Sequence, residues 1–125
     1  DAMENESILT SIKKLLGIAE ECTDFDKDII ININSVLMIL TQLGIGPPEG
    51  YVIEDCTATW GEFEPNMKQL AAIKTFVHLK VRLIFDPPMS TAVLESIKES
   101  IKETEWRLTN ANTISGKEES KDESK

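Results

Sequence analysis

The chain has 125 residues, 41% of them hydrophobic, and a formal net charge of −9 from 22 acidic and 13 basic residues. That length makes one domain with a single modest core. The charge excludes a nucleic-acid or anionic-membrane surface, which needs clustered Lys and Arg, and leaves a basic protein surface as a compatible partner.

The first predicted helix runs from Glu6 to Leu16. Ile8, Ile12, Leu15 and Leu16 recur at helical spacing and make one apolar face. Asn5 or Ser7 can cap its start, and Gly17 ends it. Lys13 and Lys14 lie in the last turn, where the helix dipole favours cations. A polar linker follows. In it Asp24 or Asp26 can cap the next helix, and Phe25 is placed to pack back on that helix as a hydrophobic staple.

The second helix, Asp28 to Leu43, carries more apolar surface than one face can hold. Ile29, Ile30, Ile33, Val36, Leu37, Leu40 and Leu43 form a stripe, and Ile31, Met38 and Ile39 lie outside it. Such a helix is either the central post of a small bundle or is finished by a neighbouring subunit. Gly44 can take a left-handed C-cap, and Pro47-Pro48 cannot continue the helix.

Residues 51–65 have no helical period. Tyr51–Ile53 and Thr57–Trp60 have strand-like composition, so an extended arm or short hairpin is expected. Tyr51, Trp60 and Phe63 in this loop are either a lid on the core or part of a sticky arm. The third helix runs from about Asn66 to Phe85, with Leu70, Ile73, Val77, Val81 and Ile84 as its stripe and Phe76, Leu79 and Leu83 beside it. Asp86-Pro87-Pro88 stops it. The fourth helix runs from about Ser90 to Asn110, burying Leu94, Ile97, Ile101 and Leu108. Trp106 lies more than about 100° round the helix from that stripe, with Arg107 next to it. It either packs under a loop of its own chain or anchors another subunit, since Trp and Arg are enriched in interface hot spots. We expect a helical domain over residues 1–112 and a charged tail over 113–125 that is disordered when free.

The inventory for catalysis is poor. His78 is the lone histidine and reads as a half-buried or surface residue; no Cys/His set has metal-ligand spacing. No glycine-rich phosphate loop follows a strand, and no nucleophile elbow occurs. No enzyme, cofactor or metal is expected. Cys22 and Cys56 read as free thiols in a reducing compartment. The N-terminal DAMENES has no signal-peptide pattern, and Met3 reads as the natural start. No run reaches the roughly 18 apolar residues of a membrane span, so a soluble intracellular protein is expected.

The segments SILTSIKKLLGI (Ser7–Ile18), FDKDIIININSVLMILTQLGIGP (Phe25–Pro47), TWGEF (Thr59–Phe63), KTFVHLKVRLIFDPP (Lys74–Pro88) and ESIKETEWRL (Glu99–Leu108), in that order and spacing, resemble the head–tail connector (adaptor) proteins of long-tailed phages and prophages. The resemblance implies a small helical subunit that joins the virion after packaging. It implies a ring, usually twelve-fold, beneath the portal protein, receiving a stopper or tail-completion protein below. DNA would pass through its channel without specific binding. It also implies residence at the head–tail interface, after assembly in the host cytoplasm.

The residues and the resemblance together predict an all-α bundle of about four helices with one long loop, acting as a structural adaptor. Candidate protein-interface residues are Ile31, Met38, Tyr51, Trp60, Phe63, Trp106 and Arg107. The competing readings are an acidic inhibitor that mimics DNA, which explains the charge but not the surplus apolar helix, and a small helical regulatory protein.

Overall fold

The computed structural model describes residues 5–124, and their side chains at 5–66 and 69–110. All regular structure in it is helical: α1 (Ile8–Leu15), α2 (Asp26–Gln42), α3 (Trp60–Phe63), α4 (Met67–Phe85) and α5 (Thr91–Ser124). The all-α class is as expected. The additional element is α3, a single turn inside the segment expected to be an arm or hairpin.

Local sequence explains where the helices start and stop. Ser7 caps α1, its Oγ accepting from the Thr10 N–H at 3.1 Å. At the end of α2, Gly44 takes φ +87°; its N–H reaches the Thr41 carbonyl and the Ile45 N–H reaches that of Leu40. This pair of bonds is a Schellman stop, and α1 ends at Gly17 in the same way. The start of α2 differs from expectation. Neither Asp24 nor Asp26 caps it; Phe25 holds the cap position without a side-chain bond. Asp26 instead turns to Lys13, 2.9 Å away, and the Phe25 ring packs edge-to-face on Phe85 with centroids 5.5 Å apart.

Helix α4 is the hub. It packs on α2, on α1, on α3 and on α5, while α2 and α5 share no substantial interface. The α2 stripe (Ile29, Ile33, Val36, Leu37, Leu40) is buried against the α4 stripe (Leu70, Ile73, Phe76, Val77, Val81). Ile84, expected to continue the α4 stripe, is exposed, while Phe85 next to it packs against the core. Helix α5 lies on another side of α4, burying Ile97, Ile101 and Leu108. It runs on to Ser124, past the end expected near Asn110.

The loop between α2 and α3 is built into the fold. Ile53, Trp60 and Phe63 are buried in the core. The extended backbone at Ile53 is held by one side chain: Asn34 Oδ1 accepts from the Ile53 N–H at 2.8 Å, and Asn34 Nδ2 donates to the Ile53 carbonyl at 3.0 Å. An amide side chain thereby does the work of a partner strand, which accounts for a polar residue in an otherwise greasy helix. Thr59 makes an isolated antiparallel bridge with Ser7, and the Trp60 N–H bonds the Glu6 carbonyl at 3.1 Å. Trp60 Nε1 donates to the buried Ser11 Oγ at 2.8 Å, satisfying the one polar atom of the indole. Lys13 tethers the other linker. It is only 3% exposed, and its Nζ donates to the carbonyls of Glu20 (3.0 Å) and Cys22 (2.7 Å).

Candidate assembly surface

The sequence-based candidates separate into two groups. Trp60 and Phe63 are enclosed by their own chain, so in this conformation they form the lid on the core and offer no surface to a partner. Tyr51 is half-buried; its ring packs edge-to-face on Phe63 and its hydroxyl donates to Glu62 Oε1 at 3.2 Å. Desolvation, reinforced by the Glu62 carboxylate, pushes the Tyr51 phenol up from its ordinary pKa. Glu62 also accepts from the Thr59 N–H at 3.0 Å, fixing the start of α3.

Ile31, Met38 and Trp106 are different: they are 63%, 61% and 64% exposed. Ile31 and Met38 are seven residues apart and share the outer face of α2. Trp106 stands on the outer face of α5, with Arg107 beside it reaching the Glu103 carboxylate at 3.7 Å. Because α2 and α5 pack on separate sides of α4, the apolar face of α2 and the exposed Trp106, which stands among charged residues of α5, are separate features.

Sequence periodicity missed three residues that extend the α2 face. Phe25, Val52 and Ile84 are also exposed. The signals were present. Val52 alternates with the buried Ile53, as extended backbone requires. Ile84 stands in the last turn of α4, where it is left uncovered although Phe85 beside it packs on Phe25. One end of the face is an open groove of about 610 Å³ formed by Ile18, Phe25, Ile31, Ile84 and Phe85, with Asp28, Asn32 and Asp86 around it. The other end is a cleft of about 360 Å³ between Met38 and Val52, with Asn34, Thr41 and Tyr51 in its walls and Glu49 at the edge.

His78 lies off these faces, on α4. Its Nε2 is buried without a hydrogen-bond partner. Burial first, then the positive charge of Arg82, lower its pKa, while a hydrogen bond with the Leu15 backbone opposes them. That is a neutral structural histidine. Both cysteines are free, Cys22 half-buried and Cys56 exposed. Among the described residues no His, Cys, Asp and Glu group has metal-site geometry, and no helix is long and apolar enough to cross a membrane.

The family described as phage connector protein matches residues 8–114, which takes in α1 to α4 whole and α5 as far as residue 114. The chain therefore belongs to the phage connector protein family, a structural and non-enzymatic class of virion components that join head and tail. Comparison with curated proteins and with solved structures gives no match.

Proposed function

We propose that the protein is the ring adaptor between the portal protein and the next connector or tail component, extending the DNA channel. The observation that carries this reading is that the exposed apolar face of α2 and the exposed Trp106 of α5 stand on helices packed on separate sides of α4. A ring adaptor contacts its neighbours and also the proteins above and below it, so each subunit needs more than one docking surface. The α2 face meets a neighbouring subunit through Met38, with Tyr51 at its edge, and another protein of the assembly through Ile31. The α5 face, through Trp106 and Arg107, meets the portal protein. The net charge of −9 suits a channel through which DNA slides without being held. The division at residue 112 belongs to the same reading. The burying stripe of α5 ends at Leu108, and beyond it Ile114 is the one large aliphatic residue in the sequence. Its charged sequence can bury too little apolar area to offset its ordering entropy in the free protein, and it becomes fixed on a partner.

The test uses three surface substitutions. Ile31→Asp and Met38→Asp, at exposed positions, should change stability by no more than about 0.5 kcal/mol and block joining of heads to tails. Trp106→Ala should leave the melting temperature nearly unchanged and weaken portal binding by at least about 2 kcal/mol. Normal head–tail joining by all three folded variants would remove the assignment of these faces.

A further inference from the structure

We infer that the groove at the N-terminal end of α2 is the seat of a basic, amphipathic segment from another protein: a Lys- or Arg-bearing stretch with an aliphatic face. The inference rests on the reading of the outer α2 face as an assembly surface, and it names the chemistry of what that face receives.

The floor of the groove is apolar. Its lining holds the exposed Ile31 and Ile84 together with the Phe25–Phe85 edge-to-face pair. Two carboxylates stand at the rim, Asp28 in the first turn of α2 and Asp86 at the end of α4. Both are exposed, and among the described residues neither has an ion-pair partner. Asp86 stands at the electrostatically unfavourable place: its N–H bonds the Arg82 carbonyl, so its carboxylate adds to the negative carbonyl end of α4. No cation of the groove compensates for it. An apolar floor, an exposed aromatic ring and two unpaired carboxylates beside a helix C-terminus together suit one kind of side chain, an apolar stem ending in a cation.

A second copy of this chain fits less well. It carries the same net charge of −9 and so repels a like copy, and several of its cations are engaged at home: Lys74 pairs with Glu6 at 2.7 Å, Lys98 with Glu95 at 3.8 Å and Arg107 with Glu103 at 3.7 Å. Lys13 is buried, and Lys80 lies 5.6 Å over the Phe76 ring. The chain ends carry no basic run either, since DAMENES is acidic and KEESKDESK is mixed. A basic segment of a different protein is therefore the better electrostatic match than a second acidic copy.

The experiment is an NMR titration of the full-length isotope-labelled chain with a synthetic amphipathic helix of Leu and Arg. Its counterpart with Glu in place of Arg is the control. Amide shifts should concentrate at Ile18, Phe25, Ile31 and Ile84, and the Glu peptide should give none. The double variant Asp28→Asn with Asp86→Asn should bind about ten-fold more weakly, as two rim charges predict. Its fold is protected because one substitution removes a favourable helix-end charge and the other an unfavourable one. The control Glu95→Gln with Glu99→Gln on α5 should bind as the parent does. Three results overturn the inference: shifts spread over the whole acidic surface, equal weakening by the two double variants, or self-association of the chain through this groove. If head–tail joining is lost in Ile31→Asp while the rim double variant binds the peptide normally, the assembly surface stands and the basic partner falls.

Discussion

Lys13 gives the sharpest test of what holds the first two helices together. By sequence it is an ordinary cation in the last turn of a helix. In the fold its ammonium group is enclosed and makes three contacts: the Glu20 carbonyl at 3.0 Å, the Cys22 carbonyl at 2.7 Å and Asp26 Oδ1 at 2.9 Å. Together these pin the α1–α2 linker across the start of α2. The substitution to make is Lys13→Met, which keeps the aliphatic stem and removes the charge and donors. A hydrogen bond from a charged donor contributes about 1.5–3 kcal/mol. Removing one partner of a buried ion pair costs about 3–5 kcal/mol, because the other charge is stranded. Here the stranding is partial, since the Asp26 side chain is 24% exposed and the linker carbonyls can rehydrate. We therefore expect a loss near the lower limit, about 3 kcal/mol.

Urea denaturation followed by circular dichroism reads this directly. With an m value of about 2 kcal/mol/M, the midpoint should fall by about 1.5 M at unchanged slope. The double variant Lys13→Met with Asp26→Asn should recover about 1–2 kcal/mol of the additive loss, because a neutral amide no longer strands a charge. A single-variant loss below about 0.5 kcal/mol, the range of ordinary surface substitutions, would refute the reasoning. The ammonium would then be no more than a solvated group folded back on the linker.

Two further perturbations test the loop and the histidine. Gly46 has φ +83°, and a Cβ there would stand 2.6 Å from Phe63 Cε1, so Gly46→Ala should cost about 2–4 kcal/mol in the same assay from backbone strain plus displacement of a buried ring; a neutral result would mean that Phe63 has room to move. His78 has a folded pKa below its ordinary value of about 6.5, so the unfolded chain takes up the proton first as pH falls. Stability should be fully present above about pH 6.5 and decline below it until the folded pKa is passed, and His78→Gln should flatten the urea midpoint between about pH 7 and 5.5, a window this single histidine dominates.

The helical architecture was legible because α1, α2, α4 and α5 each carry a period of their own. Ile29, Ile33, Val36, Leu37 and Leu40 were found by spacing, and so were Leu70, Ile73, Val77 and Val81. Ile31 and Met38 were found by their angular mismatch with the α2 stripe, and both are exposed. Trp106 was found the same way. What periodicity could not reveal is anything fixed by a partner distant in sequence. The positions of Trp60 and Ile53 depend on Ser11 and Asn34, and no local pattern in residues 51–65 points to either. Lys13 failed for the same reason: its acceptors are carbonyls whose position exists only once the linker has folded. The ends of elements were also less legible than their middles. Phe25 takes the cap position where a carboxylate was expected, and in the last turn of α4 it is Phe85, not Ile84, that packs on the core.

The packed loop changes how assembly must work. A sticky arm would be mobile in the free subunit and would order on its partner, with a corresponding entropy cost. Here residues 51–63 are pinned by the Asn34 amide, by the Trp60–Ser11 bond and by the Ser7–Thr59 bridge, and they bury Ile53, Trp60 and Phe63. Opening that segment means exposing core side chains, so its amides should exchange only through a large part of global unfolding. Hydrogen exchange on the free protein should accordingly show Ile53, whose N–H bonds Asn34, and Trp60, whose N–H bonds Glu6, protected nearly as well as the buried turns of α2 and α4. Docking would then be close to rigid-body at the α2 face. The segment left to adapt is α5, which packs on α4, enters through Pro87-Pro88 beside a fully exposed Met89, and leaves its burying stripe at Leu108. Its amides past Leu108 should exchange fast in the free subunit and slow on assembly. Fast exchange at Ile53 and Trp60 in the free protein would reverse the assignment, making the loop the adapting part.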